Sequence, residues 1–234
     1  MLRPLLLAAI VSVFSSAAST DDGPTTSSKR GLIYIQTDTS SSDLGIWDSS
    51  SSDLTWYYNY GPDPTSQISN KLQFVPMFFG SPSSGDSSFH TTVTSQISSG
   101  ANITHILGFN EPDGSHDIGG SNIDPKTAAS LWKDQVEPLQ SKVKLGAPAT
   151  MSNNDGLSWL KAFFDACDGG CTADFYPIHF YGDFQGLASY MGQFQAVYGN
   201  TSKLWITEYG YPNMPLNETQ SFFNESMDYF DRLS

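Results

Sequence analysis

The stretch Leu32-Ile33-Tyr34-Ile35-Gln36-Thr37-Asp38-Thr39-Ser40-Ser41-Ser42 decides between two architectures. Leu32–Gln36 reads as a β-strand whose apolar run lacks strict alternation, which suits a strand covered on both faces in a parallel sheet. An open dinucleotide-binding sheet carries a Gly-rich turn after its first strand. Here Gln36 is followed only by Thr, Asp and Ser, with no G-x-G-x-x-G. Six further runs share the character of the first: Leu54–Tyr60, Gln73–Phe79, His105–Asn110, Val143–Ala147, Phe175–Tyr181 and Leu204–Tyr209. They alternate with polar, turn-rich or helical stretches, as repeated βα units do. Polar, acidic and aromatic residues gather at their C-terminal ends, where a (β/α) barrel keeps its active site. The expected fold is therefore α/β, a TIM-type (β/α) barrel.

Helical signals fit between these strands. Asp124-Pro125 caps and opens a helix running towards Gln140, because Asp accepts from free N–H groups and Pro suits the first turn; Pro138 should end or kink it. Leu157–Ala166 carries Leu157, Leu160 and Phe164 on one face, Leu187–Tyr198 reads as another helix, and Ser221–Leu233 places Phe222, Phe223, Met227, Phe230 and Leu233 at helical spacing.

At the N-terminus, Arg3 precedes an apolar run from Leu5 to Phe14, and Ser16-Ala17-Ala18 offers small residues for cleavage. Residues 1–18 are expected to be a signal peptide, since about ten apolar residues are roughly half of what a bilayer requires. Residues 19–30, rich in Ser, Thr, Asp and Gly, are expected to be flexible, with the (β/α) barrel domain over 31–234. No later stretch could span a membrane. Export agrees with four acceptor sequons at Asn102, Asn200, Asn217 and Asn224. It also agrees with the cysteine pair: Cys167 and Cys171 flank Asp-Gly-Gly, which turns tightly enough for a local disulfide. No neighbouring His or Cys completes a zinc set, so no metal is expected.

Of 234 residues, 38% are hydrophobic and 13% aromatic, which is enough for a core. The net charge of −13 leaves no large cationic face, so nucleic acid and anionic lipid are poor partners and an uncharged polar substrate is a good one.

Two strand ends carry the chemistry: Gly108-Phe109-Asn110-Glu111-Pro112-Asp113 and Trp205-Ile206-Thr207-Glu208-Tyr209-Gly210. Each places a Glu where an apolar run stops. Glycosidic cleavage needs one carboxylic acid to protonate the leaving oxygen and one carboxylate to attack or to activate water. As the fourth and seventh strands of a barrel, these two would face each other across the mouth. A separation of ~5–5.5 Å would make the enzyme retaining. No cofactor is needed for such chemistry.

Asn-Glu-Pro after the fourth strand and Glu ending the seventh resemble the clan A glycoside hydrolases. An ordered set narrows the resemblance to glycoside hydrolase family 128, the fungal cell-wall group of the alkali-sensitive linkage protein type. The set comprises Trp56-Tyr57-Tyr58-Asn59-Tyr60-Gly61, Phe74-Val75-Pro76-Met77, the Asn110-Glu111-Pro112 segment, Leu145-Gly146-Ala147-Pro148-Ala149, the Cys167…Cys171 step to Asp174-Phe175, His179-Phe180-Tyr181-Gly182 and the Glu208 segment. It runs from about Gly31 to Pro212. The resemblance implies a retaining endo-β-1,3-glucanase acting on wall glucan, with Glu111 as acid/base, Glu208 as nucleophile and Asn110 on the 2-hydroxyl at the cleavage subsite.

Aromatic strand ends are candidates for stacking on sugars: Trp56, Tyr58, Phe79, Phe180, Tyr181 and Tyr209, with His179 to orient Glu208 or bind a hydroxyl. Two departures stand out. Position 180 is Phe where much of the family has Trp, and the sequence ends at Ser234 after one more helix, so the barrel is expected to be truncated before its eighth strand. A wall-associated β-glucan-binding protein with little or no turnover is the alternative reading, and a clan A hydrolase of another β-glycan a weaker one. In either case a secreted or wall-bound monomer is expected.

Overall fold

The computed structural model describes residues 10–13, 29–35, 40–47, 49, 52–68, 71–80, 88–200 and 202–233. Most of the expected signal peptide and of the expected flexible segment 19–30 lies outside the described residues.

All seven expected strands are present, six of them as shorter hydrogen-bonded pieces and the last one residue longer: β2 Arg30–Ile33, β3 Trp56–Tyr58, β4 Gln73–Phe74, β5 His105–Ile106, β6 Lys144–Leu145, β7 Tyr176–Tyr181 and β8 Leu204–Gly210. Pairing between β2 and β3, β3 and β4, β5 and β6, and β7 and β8 is parallel. Isolated parallel bridges, Met77 to Leu107 and Gly146 to Phe175, link the β5–β6 pair to strands on either side. Another strand, β1 Ile10–Val13, lies inside the expected signal peptide and was not anticipated as structure. It runs antiparallel between β2 and β8, with Ser12 opposite both Arg30 and Ile206. The protein is thus an α/β fold dominated by parallel strands.

Among the described residues a helix follows each parallel strand except β3: α1 Ser40–Trp47, α2 Phe89–Ser98, α3 Pro125–Gln135, α4 Asn154–Cys167, α5 Phe184–Tyr198 and α6 Leu216–Arg232. Asp124 caps α3 by accepting from the backbone N–H groups of Lys126 and Thr127, as its position before Pro125 requires. The helix stops at Gln135, and Pro138 sits in a separate 3-10 turn, Glu137–Leu139. No described helix is long and apolar enough to cross a membrane.

The strands sort their side chains by the two-residue period of extended chain. One face gathers Trp56, Tyr58, Val75, Met77, Leu107, Phe175 and Trp205 in a buried cluster between strands. The other packs beneath the helices, where Ile106, Phe109, Leu145, Ile178, Ile206 and Tyr209 meet Val93, Trp132, Phe163, Phe194 and Phe230. Glycines serve where strands crowd aromatic rings. A Cβ on Gly146 would lie 2.6 Å from Cζ of Phe175, and one on Gly31 would run into the indole of Trp56.

Cys167 and Cys171 form the expected disulfide at the end of α4. Its loop is tied down by Glu137, whose carboxylate accepts from the Thr172 backbone N–H at 2.7 Å and the Trp132 indole at 3.1 Å. On the far side, Arg30 pairs with Asp53 and, at 2.6 Å, with Asp231, so the start of β2 holds the last turn of α6.

Candidate active site

Strand β8 delivers Glu208 through a register fault. Ile178 of β7 lies opposite Ile206, but the next residue, His179, lies opposite Glu208, so Thr207 is an extra residue in β8. Strict alternation from Ile206 would turn Glu208 towards the helices. The bulge at Thr207 turns it to the face that His179 shares and sends Tyr209 to the helix side, a re-aiming that bulges characteristically produce beside active sites.

Once there, Glu208 is only 6% exposed and is held at both oxygens. The Tyr60 hydroxyl donates to Oε1 at 2.6 Å and the Tyr181 hydroxyl donates to Oε2 at 2.8 Å. Burial first, and then the charge of Glu208, push both phenols far above the ordinary tyrosine range, so they remain donors.

Glu111 follows β5 and stands in the left-handed region at φ 39°. Its N–H donates to the Ala149 carbonyl at 2.7 Å, and its own carbonyl accepts from Gly114 N–H at 2.9 Å, so the turn is fixed from both sides. Tyr60, just beyond β3, also has a positive φ, 62°. Asn110 is buried; its Nδ2 donates to the Gly119 carbonyl at 3.2 Å, and its Oδ1 has no hydrogen-bond partner.

His179 stands between the two carboxylates and is 1% exposed. Its Nδ1 is 3.0 Å from Glu111 Oε1, a hydrogen bond, while its Nε2 is 3.5 Å from Glu208 Oε1. The longer contact is electrostatic only, and Nε2 has no hydrogen-bond partner. Burial lowers the imidazole pKa, but the charge of Glu208, the hydrogen bond to Glu111 and the charges of Glu111 and Asp113 outweigh it, and the net shift is upward. One ligand-capable atom each from Glu111, His179 and Glu208 fall within 4.8 Å of one another. Two facing carboxylates at this spacing, one gripped by phenols and both touching an imidazole, can combine proton donation with attack at one carbon.

Of the side chains anticipated from sequence, Glu111, Glu208, Asn110, His179 and Tyr181 come together here. Phe79 lies at the rim, 36% exposed, with its ring 6.2 Å from that of Tyr60 in an edge arrangement. Four others are elsewhere. Trp56 and Tyr58 are buried in the inter-strand cluster, and it is Tyr60, beyond the end of β3, that reaches the carboxylate; the Tyr58 hydroxyl donates to the Thr207 carbonyl. Phe180 packs on the helix side against Tyr190 of α5, and Tyr209 is enclosed by Phe222, Phe223 and Phe230 of α6. Tyr60 was the functional residue not anticipated. Its signal was its place as the last aromatic before Gly61 in the same run. The sequon residues Asn102, Asn200, Asn217 and Asn224 are all exposed.

Residues 31–234 match the family model described as glycosyl hydrolase catalytic core. Among solved structures, the chain resembles a glycoside hydrolase family 128 (subgroup III) curdlan-specific exo-β-1,3-glucanase from Blastomyces gilchristii, solved with glucose. Identity is 26%, coverage 86% of this chain and 84% of that one, and the TM-score 0.71. It also resembles a subgroup I endo-β-1,3-glucanase from Amycolatopsis mediterranei in complex with laminaritriose, at 26% identity, 87% and 83% coverage and a TM-score of 0.66. The fold is shared with a subgroup VII oligosaccharide-binding protein from Trichoderma gamsii, at 24% identity, 85% and 77% coverage and a TM-score of 0.62. No curated protein matches the sequence.

Proposed function

The chain belongs to the glycosyl hydrolase catalytic core family, and we propose that it is a secreted, retaining endo-β-1,3-glucanase acting on cell-wall β-glucan. The observation that carries this reading is the grip on Glu208. Two phenols orient a buried carboxylate whose neighbours Glu111 and His179 lie within 4.8 Å. A glucan-binding protein without turnover has no need of a carboxylate so held beside a second one. The spacing supports retention, for which carboxyl groups ~5–5.5 Å apart are required.

In this mechanism Glu111 protonates the glycosidic oxygen while Glu208 attacks the anomeric carbon, giving a glycosyl-enzyme. Glu111 then takes a proton from the water that releases the sugar. Tyr60 and Tyr181 fix the attacking oxygens, and His179 spans the pair. The unpartnered Oδ1 of Asn110 is an acceptor for the 2-hydroxyl at the cleavage subsite. Phe79 and Tyr181 offer rings to the glucan at the rim. Nothing in the scheme calls on a cofactor. The strand order fits a (β/α) barrel, and the exposed sequons and the disulfide fit export.

Incubation of the purified chain with laminarin, following release of reducing ends beside a Glu208→Gln control, tests the proposal. Release by the parent and not by the control supports it, and a product whose anomeric configuration is retained supports the covalent route. Binding of laminarin without release points instead to a glucan-binding protein. A folded chain that neither binds nor cleaves sinks the β-1,3-glucan assignment.

A further inference from the structure

We propose that the same three side chains form an inhibitory zinc site, with Nε2 of His179 and Oε1 of Glu208 as the protein ligands and the carboxylate of Glu111 as the group that orients the imidazole. The argument starts from an unsatisfied atom. Nε2 of His179 is buried, lacks a hydrogen-bond partner and lies 3.5 Å from Glu208 Oε1. Nδ1 is occupied, 3.0 Å from Glu111 Oε1. A neutral imidazole that donates its Nδ1–H to a carboxylate leaves its lone pair on Nε2, which is the carboxylate–histidine–metal arrangement that raises ligand basicity.

Distance decides which ion fits. Zinc binds imidazole nitrogen and carboxylate oxygen at about 2.0–2.2 Å, so two ligands on one tetrahedral edge lie roughly 3.3–3.5 Å apart. The separation of Nε2 from Glu208 Oε1 is 3.5 Å. That gap is long for a hydrogen bond and right for a tetrahedral edge. An imidazole–carboxylate pair suits zinc and not magnesium, which prefers an all-oxygen shell. Oε1 accepts from Tyr60 with one lone pair and keeps the other for the ion, while Tyr181 holds Oε2. Water completes the remaining positions. Two protein ligands make the binding weak and reversible.

The inhibitory part rests on the reading of Glu208 as nucleophile, because an ion on Oε1 neutralises the carboxylate and occupies the cleavage position. The binding part does not rest on it. Zinc chloride titrated calorimetrically into the full chain, in a mildly alkaline, non-chelating buffer, tests the binding part, with magnesium chloride as the comparison. One zinc ion per chain is expected to bind saturably below millimolar concentration. Glu208→Gln and His179→Ala, each checked for folding by circular dichroism, should weaken it about tenfold or more. With laminarin as substrate, zinc should raise KM and leave kcat unchanged, reversibly on chelation.

No saturable zinc binding, binding untouched by either substitution, or equal binding of magnesium overturns the site. Zinc bound at this site by a chain that does not cleave laminarin keeps the site and removes the hydrolase reading. The isosteric Glu208→Gln variant decides the matter where His179→Ala fails to fold.

Discussion

The hydroxyl of Tyr60 lies 2.6 Å from Oε1 of Glu208, joining two residues 148 positions apart across the site. A hydrogen bond of that length to a buried carboxylate is of the charge-assisted kind, worth about 1.5–3 kcal/mol. Tyr60→Phe removes only the hydroxyl and leaves the ring edge-on to Phe79. It should cut kcat on laminarin by ~10–100-fold with a smaller change in KM. An unchanged kcat would show that Tyr181 alone orients the nucleophile.

His179 supplies a pH-dependent contribution to stability. Its pKa is raised in the folded protein, so folding favours the protonated imidazole. The stabilisation is therefore complete below the unfolded value of about 6.5 and is lost as pH rises through the higher folded value. Melting temperatures of the parent and of His179→Gln, followed from acid to mildly alkaline pH, should differ most at the acid end and converge above. A constant gap across the range would mean that the contribution of His179 is packing and not charge.

Aromatic residues at the rim and in the interior should separate cleanly. Phe79→Ala removes an exposed ring and is expected to raise KM for laminarin severalfold, the equivalent of about 1 kcal/mol of buried apolar surface, with kcat little changed. Trp56→Phe leaves a smaller ring in a buried cluster. It should lower Tm by several degrees and leave KM where it was. A rise in KM for Trp56→Phe would place that ring at the substrate after all.

Gly146→Ala probes the contact between neighbouring strands. The added methyl meets Phe175 at 2.6 Å and the Ile106 carbonyl at 3.0 Å. The ring is held in a buried cluster and the carbonyl is backbone, so neither yields easily. A loss of about 1–3 kcal/mol in urea unfolding is expected. A neutral result would mean that the β6–β7 contact relaxes freely.

Much of this arrangement was legible because strand ends carry their own signals. Continuous apolar runs gave all seven parallel strands, and Asn110-Glu111-Pro112 and Glu208 marked the facing carboxylates. Helices α1 and α2 were harder to read. Both are rich in Ser or Thr, which have poor helix propensity, and α2 is defined instead by Phe89 and Val93 buried on one side, with Ile97 completing the four-residue spacing. Side-chain direction was the other blind spot. Trp56, Tyr58 and Tyr60 share one parity, and only the depth of each layer decides that Tyr60 alone reaches the carboxylate. At the other end, the extra residue Thr207 shifts parity within β8, so Glu208 and Tyr209 exchange faces in a way that hydrophobic pattern does not reveal.

Positive φ at Tyr60 and Glu111 has a consequence for how this sequence can change. Each non-glycine residue held there costs of order 1–3 kcal/mol, offset by the rest of the fold. At Tyr60 the ring contacts with Tyr58 and Phe79 and the hydrogen bond to Glu208 outweigh that strain, but glycine at 111 would relax the chain and lift a carboxylate crowded against Glu208, while deleting a group that the proposed reaction depends on. Selection for heat resistance and selection for turnover therefore pull position 111 in opposite directions and position 60 in the same one. A library screened for stability alone should enrich glycine at 111, keep tyrosine at 60, and return sturdier, silent proteins.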